Sequence, residues 1–202
     1  MKRFALIILV CLLALPDANA QAEWAPHRLP DEINVSYGRV SIPSFAMVLG
    51  GALGTAFTFG LAKMDEFGTT GAISVGYYKY LTDHFAVGSD LCYERLLLGF
   101  AGYTGDSTYE NKLTPNHSTF YSVMPGIKLS WFNREHFGMY SKLNAGAFLQ
   151  TSSQGESDST NFSFGFQVDP IAMEFGGMSF RGFVEAGIGM EGLVKAGVRY
   201  AF

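Results

Sequence analysis

The chain has 202 residues and a net charge of −4 at pH 7. An acidic balance of this kind argues against nucleic acid as a partner. Glycine, at 24 residues, and aromatics, at 15 per cent, suit period-two strands, and no long helical heptads are present. That combination fits a β-barrel better than a soluble exported domain.

Lys2 and Arg3 precede an apolar run, Phe4 to Leu15, which is too short to span a bilayer. Pro16 breaks the run, and Ala18-Asn19-Ala20 is a small-x-small cleavage site, so residues 1–20 read as a secretory signal peptide. Residues 21–32 read as a periplasmic N-terminal segment, and 33–202 as one barrel domain. Cys11 leaves with the signal and only Cys92 remains. With no intrachain disulfide, an exported chain must be held by packing or by a membrane. Cys92 itself reads as a small inward-facing core residue.

Eight segments alternate with period two: 33–40, 71–81, 85–96, 119–132, 137–149, 161–175, 181–190 and 193–202. The first, INVSYGRV, sets Ile33, Val35 and Tyr37 on one face. Between it and the second lies Ser44 to Ala62, nineteen residues without a charge, with Gly50 and Gly54 at GxxxG spacing. This stretch reads as an apolar first loop or a short helix at the barrel mouth or on the lipid. An extra hairpin at GGALG, giving ten strands, is the alternative. The links TDH, NREH and roughly GGMS are short, whereas 42–68, 102–117 and 151–160 read as long loops. A bulge is expected at Pro170, where the alternation of the seventh strand slips phase. Short turns on one side and long loops on the other are the pattern of outer-membrane barrels. Tyr80, Phe85, Trp131, Phe132, Phe137, Tyr200 and Phe202 gather at the short-turn end, where an interfacial girdle would sit.

The last strand ends LVKAGVRYAF, with Val198, Tyr200 and Phe202 on one face. It resembles the C-terminal signal by which bacterial outer-membrane barrels are read by their assembly machinery. The stretches YSVMPG (121–126), SWFNR (130–134), FGMYSKLNAG (137–146), PIAMEFGG (170–177) and 181–202 are similar to a family of small, uncharacterised outer-membrane β-barrel proteins. The resemblance implies the fold and the outer membrane of a Gram-negative bacterium, and it implies no activity.

The face opposite the lipid carries Asp90, Glu94, Lys128, Lys142, Glu185, Lys195 and Arg199. Mixed charges in a lumen that side chains just fill are expected to pair as a plug. The histidines His27, His84, His117 and His136 show no metal-ligand spacing. His117 next to Ser118, with Glu110 nearby, is the one catalytic pattern worth weighing.

The expected molecule is a closed antiparallel transmembrane β-barrel of eight strands, all-β and monomeric. It has no cofactor and no metal, and its surroundings are outer-membrane lipid. Its expected role is non-enzymatic, in envelope structure or in surface interaction through the loops, with a ligand the sequence does not name. A narrow porin-like channel is the first alternative. A lipid-modifying enzyme using His117 and Ser118 is the second.

Overall fold

The computed structural model describes residues 31–57, 62–102, 114–154 and 157–202. The signal peptide, nearly all of the 21–32 segment, His27 and Glu110 lie outside these residues. In chain order come β1 (Glu32–Arg39), α1 (Ile42–Phe57), β2 (Ala62–Thr69), β3 (Ala72–Tyr80), β4 (Phe85–Gly102) and β5 (Thr114–Asn133). Then follow β6 (Phe137–Gln154), β7 (Ser157–Gly176), β8 (Phe180–Gly189) and β9 (Val194–Ala201).

All nine segments form one sheet, and it closes on itself, because β1 pairs with both β3 and β9 and β4 pairs with β5. β2 and β3 both run antiparallel to β4, one above the other, and act as a single strand interrupted at Thr70–Gly71. The barrel therefore has eight staves, and ten is excluded. Gly71 allows the interruption. Its φ is +73°, and a Cβ there would lie 2.6 Å from the Tyr37 ring.

Alternation sorts the two faces. Ile33, Val35, Tyr37, Ile73, Val75, Leu91, Val123 and Val198 face outward and are exposed, while Asn34, Ser36, Ser74, Asp90 and Lys195 face the lumen and are buried. This apolar exterior over a polar interior inverts the soluble pattern and marks a lipid-facing wall. Among the described residues no helix is long and apolar enough to cross a membrane. The strands do the crossing.

Around Pro170 the β6–β7 and β7–β8 registers both shift, between Tyr140/Lys142 and between Val168/Ile171. This is the bulge that the phase slip implies. The Ser141 hydroxyl donates to the Pro170 carbonyl at 2.7 Å.

The wall is uneven. β5 and β7 have 20 residues each, but β1 and β9 have 8 and β8 has 10. Tilted by about 40°, a 20-residue strand rises roughly 50 Å and an 8-residue strand roughly 20 Å, against an apolar band about 25 Å tall. The 8-residue strands fall a few ångströms short of such a band and β8 about matches it, whereas the long ones stand well above it. This corrects three expected loops. Residues 151–154 and 157–160 continue β6 and β7, with Thr151 opposite Thr160 and Ser152 opposite Ser159. Residues 114–117 belong to β5 and 62–68 to β2. Alternation disappears there because water wets both faces above the membrane, so nothing selects apolar residues on either side. Residues 103–113 lie outside the described residues.

The girdle reading also needs one correction. Trp131, Phe132, Tyr200 and Phe202 are exposed at the short-turn end, with Tyr200 and Phe202 stacked at 6.2 Å. Tyr80 instead faces the lumen and is 2 % exposed. It falls on the same side of β3 as Tyr78, opposite to Tyr77.

The passage from β1 into α1 is strained. Val40 has φ +60°, a conformation that costs a branched residue about 1–2 kcal/mol. It is held because Leu193 N–H donates to both Arg39 and Val40 carbonyls, at 2.9 and 3.2 Å. Val40 is half exposed, so its side chain contributes little packing. Asn tolerates this region without the entropy cost of Gly. Val40→Asn is expected to stabilise the barrel by about 1 kcal/mol, read as a higher urea midpoint for unfolding from lipid vesicles.

Candidate functional site: the lumen and its mouth

Closing eight strands leaves an interior only wide enough for side chains. Among the described residues, seven carboxylates and five cations are buried there. They fall into layers.

The lowest layer, at the short-turn end, is rich in cations. Glu174 accepts from Arg199 through Nε at 2.7 Å and Nη2 at 3.0 Å, and from Arg181 Nη1 at 2.6 Å. Lys128 donates to Glu32 at 2.6 Å. Arg181 closes the floor. It donates to the carbonyls of Arg134 at 2.6 Å, Glu135 at 3.2 Å and Gly177 at 3.0 Å, so one guanidinium ties two turns together. Its planar fork suits this task better than a lysine would.

The next layer is rich in carboxylates. Lys142 lies 2.9 Å from Asp90 and 3.2 Å from Glu185. Lys195 lies 2.9 Å from Asp169, 2.5 Å from Glu185, and against Glu191. Oxygens of Asp169, Glu185 and Glu191 all lie within 4.8 Å of one another. A cation would accept that grouping, and the Lys195 ammonium is the cation there. Tyr140 joins the two layers. Its hydroxyl donates to Glu185 at 2.6 Å, and its ring centroid lies 3.9 Å from Lys128 Nζ. Tyr78, Asn144 and Gln167 supply further donors to Asp90 and Asp169.

Small residues opposite let these side chains cross the lumen. A Cβ on Gly76 would overlap Asp90, and one on Gly126 would overlap Asn144.

Above the charges lies an apolar layer of Ala72, Cys92, Leu96, Phe120, Met124 and Met190, with Met47 and Phe148 against it. Cys92 is buried, and its thiol faces the Met190 carbonyl at 3.8 Å. To one side, Glu94 pairs with no cation among the described residues. It accepts from Ser41 and, at 3.0 Å, from Thr69. Ser41 also caps α1, its hydroxyl accepting from Ser44 N–H at 3.2 Å. Glu94 thus anchors the helix start to the wall.

Asp90, Lys128, Lys142, Glu185, Lys195 and Arg199 are therefore brought into ion pairs, and Glu94 is not. Sequence reasoning overlooked Glu32, Asp169, Glu174, Arg181 and Glu191. Asp169 sits on the inward parity of β7 and was legible there. Glu174 lies beyond the bulge, where parity changes, and Glu191 lies in a turn that folds inward, where parity has no meaning. His117 and Ser118 do not form a dyad. Neighbours on one strand point to opposite faces, and Ser118 instead meets the Ser152 hydroxyl at 2.9 Å. His84 and His136 sit in the lower turns, where His84 Nδ1 meets the Ser130 carbonyl at 3.0 Å and His136 is exposed.

An apolar exterior, a sealed polar interior and short turns at one end define a closed antiparallel transmembrane β-barrel of the outer-membrane kind. The chain is similar to a solved structure of that kind, the attachment invasion locus protein Ail of Yersinia pestis. The identity is 14 %, the TM-score is 0.41, and the match covers 86 % of this chain and 97 % of that one. No known family matches the sequence, and neither does any curated protein.

Removing one partner from a buried ion cluster leaves unpaired charge and costs about 3–5 kcal/mol. Lys195→Met is expected to lose that much, because Asp169, Glu185 and Glu191 all face its ammonium. Adding Glu191→Gln removes one of the stranded carboxylates, so the double variant should recover part of the loss. Urea midpoints of the wild type and the two variants check both statements.

Proposed function

We propose that this protein is a monomeric, non-enzymatic barrel of the bacterial outer membrane. In this reading it contributes to envelope structure or surface interaction through the tall part of its wall. The lower turns lie in the periplasm, and β4 to β7 project outward. The barrel-assembly machinery recognises Val198, Tyr200 and Phe202 at the chain's end, and lipid surrounds the wall.

The observation that carries the reading is the lumen. Two buried layers of ion pairs, floored by Arg181, stand across the path that a solute would take. Cavities lie at the ends instead, one of about 260 Å³ at the floor beside Arg181 and one of about 350 Å³ at the mouth. A channel would require Lys142 and Lys195 to leave their carboxylates, which a low-dielectric interior opposes strongly. The opposed faces of His117 and Ser118 weigh against a hydrolase. The projecting strands weigh toward recognition, since a rigid scaffold that holds polar surface away from the membrane suits binding. The ligand is unnamed, and no cofactor is needed.

The purified protein, inserted into a planar lipid bilayer with insertion confirmed by protease protection, should give no discrete current steps. Reproducible unitary steps would overturn the sealed reading and assign it to solute passage.

A further inference from the structure

The upper wall is incomplete. The β7–β8 ladder ends at Gln167 opposite Gly189, yet β7 continues to Ser157. β1 and β9 stop at Arg39 and Val194. On the far side of the opening, among the described residues, β2 pairs only with β4. Above the short strands the wall is thus a five-stranded sheet open across three missing strands, a width of about 14 Å.

α1 stands in this opening and does not fill it. Its 16 residues carry no charge, and Phe45, Leu49 and Leu53 remain exposed. A helix apolar all round belongs in a core or in lipid. Between its first turns and the free edge of β7 runs a cleft of about 350 Å³, within the range of small-molecule sites. Met47 on the helix lines it, together with the lumen-facing Phe120, Phe148 and Met190. Phe164 and Phe166 of β7 form its outer lip. Among the described residues no charged one lines the cleft, and Gln150 is its one polar side chain.

Two observations say what covers it. Phe164 and Phe166 continue the lipid-facing row of β7 through Val168 and Ile171, so the cleft is continuous with the lipid belt. Its inner wall is also apolar, where a barrel opening to water would present polar groups. We propose that the cleft binds one acyl chain of an outer-leaflet lipid, which enters sideways between α1 and the free edge of β7 and rests on Phe148 and Met190. The bilayer itself supplies this ligand at high local concentration. The edge of β7 and the helix act as the two jambs of the entrance.

The test uses the full chain in phosphatidylcholine vesicles doped with a phosphatidylcholine carrying a mid-chain diazirine. After irradiation, adducts are mapped by peptide mass spectrometry. Met190 is 5 % exposed and faces the lumen, so lipid held only in the belt cannot reach it. Adducts on Met190 or Phe148, alongside belt adducts on Leu143 or Val198, are expected. Adducts confined to the belt would overturn the proposal. Gly165 faces into the cleft, where a Cβ would lie 3.1 Å from Met190 and 3.2 Å from Phe148. Gly165→Phe, with its barrel verified by circular dichroism, should lower the ratio of cleft to belt adducts at least fivefold. An unchanged ratio would overturn the proposal. The wild-type map stands alone if the variant does not fold, and neither readout depends on whether the lumen conducts.

Discussion

The structure depends on one closure, the antiparallel ladder between β1 and β9. Every residue from Glu32 to Arg39 has a partner between Ala201 and Val194. In hydrocarbon an unpaired N–H or C=O costs several kcal/mol, so a sheet can cross a membrane only if it has no edge. The last residues of the chain must meet the first residues of the barrel, and Phe202 N–H completes the meeting by donating to the Asp31 carbonyl at 2.9 Å. Closure then dictates the interior. Once eight staves meet, whatever points inward is sealed from bulk water, and each lumen charge needs a partner within the lumen.

The same rule explains why the upper wall can stay open. Among the described residues, the edge of β7 above Phe166, whose carbonyl accepts from Met190 N–H at 2.9 Å, and the far edge of β2 have no partner strand. Phe162, Phe164 and Phe166 keep the lipid-facing alternation past Gln167, so the belt reaches the lower part of that edge, where α1 stands beside it, and water or headgroups reach the rest. The tops of the short strands therefore lie within the upper part of the apolar band. α1 begins at that height because Ser41, at its cap, is bonded to Glu94 on β4. The strain at Val40 follows from turning the chain from the wall into the opening within two residues.

Much of this was legible in the sequence, for a physical reason. Lipid outside and a filled lumen inside impose period two on every membrane-crossing residue. The eight staves, the lower turns and the bulge at Pro170 could be read from parity alone. Parity says nothing where both faces meet water, so 151–160 and 114–117 passed for loops although their backbones pair throughout. It also fails where the backbone leaves the strand. Glu191 enters the lumen from a turn, and α1 replaces wall that the pattern gave no reason to find missing. Tyr80 shows a subtler limit. An aromatic at the right height suggested the girdle, but its parity places it inside, and parity is the stronger constraint.

A lumen of ion pairs is an expensive way to fill a barrel, since apolar residues of equal volume often stabilise as well or better. The cost has a return in register. With an apolar core as well as an apolar exterior, a strand shifted by one residue would present equally acceptable faces to both sides. Here such a slip in β9 would turn Lys195 and Arg199 toward lipid and Val194 and Val198 toward Asp169 and Glu174. Turning Lys195 to lipid costs about 2–4 kcal/mol near the bilayer midplane, and the carboxylates left behind lose their partners. The buried charges thus make the two faces of these strands unequal, and with lysines or arginines on β5, β6, β8 and β9 drawn to carboxylates on β1, β4, β7 and β8, pairing order is constrained along with register. Stability sacrificed in the lumen is recovered as a single way for the wall to close.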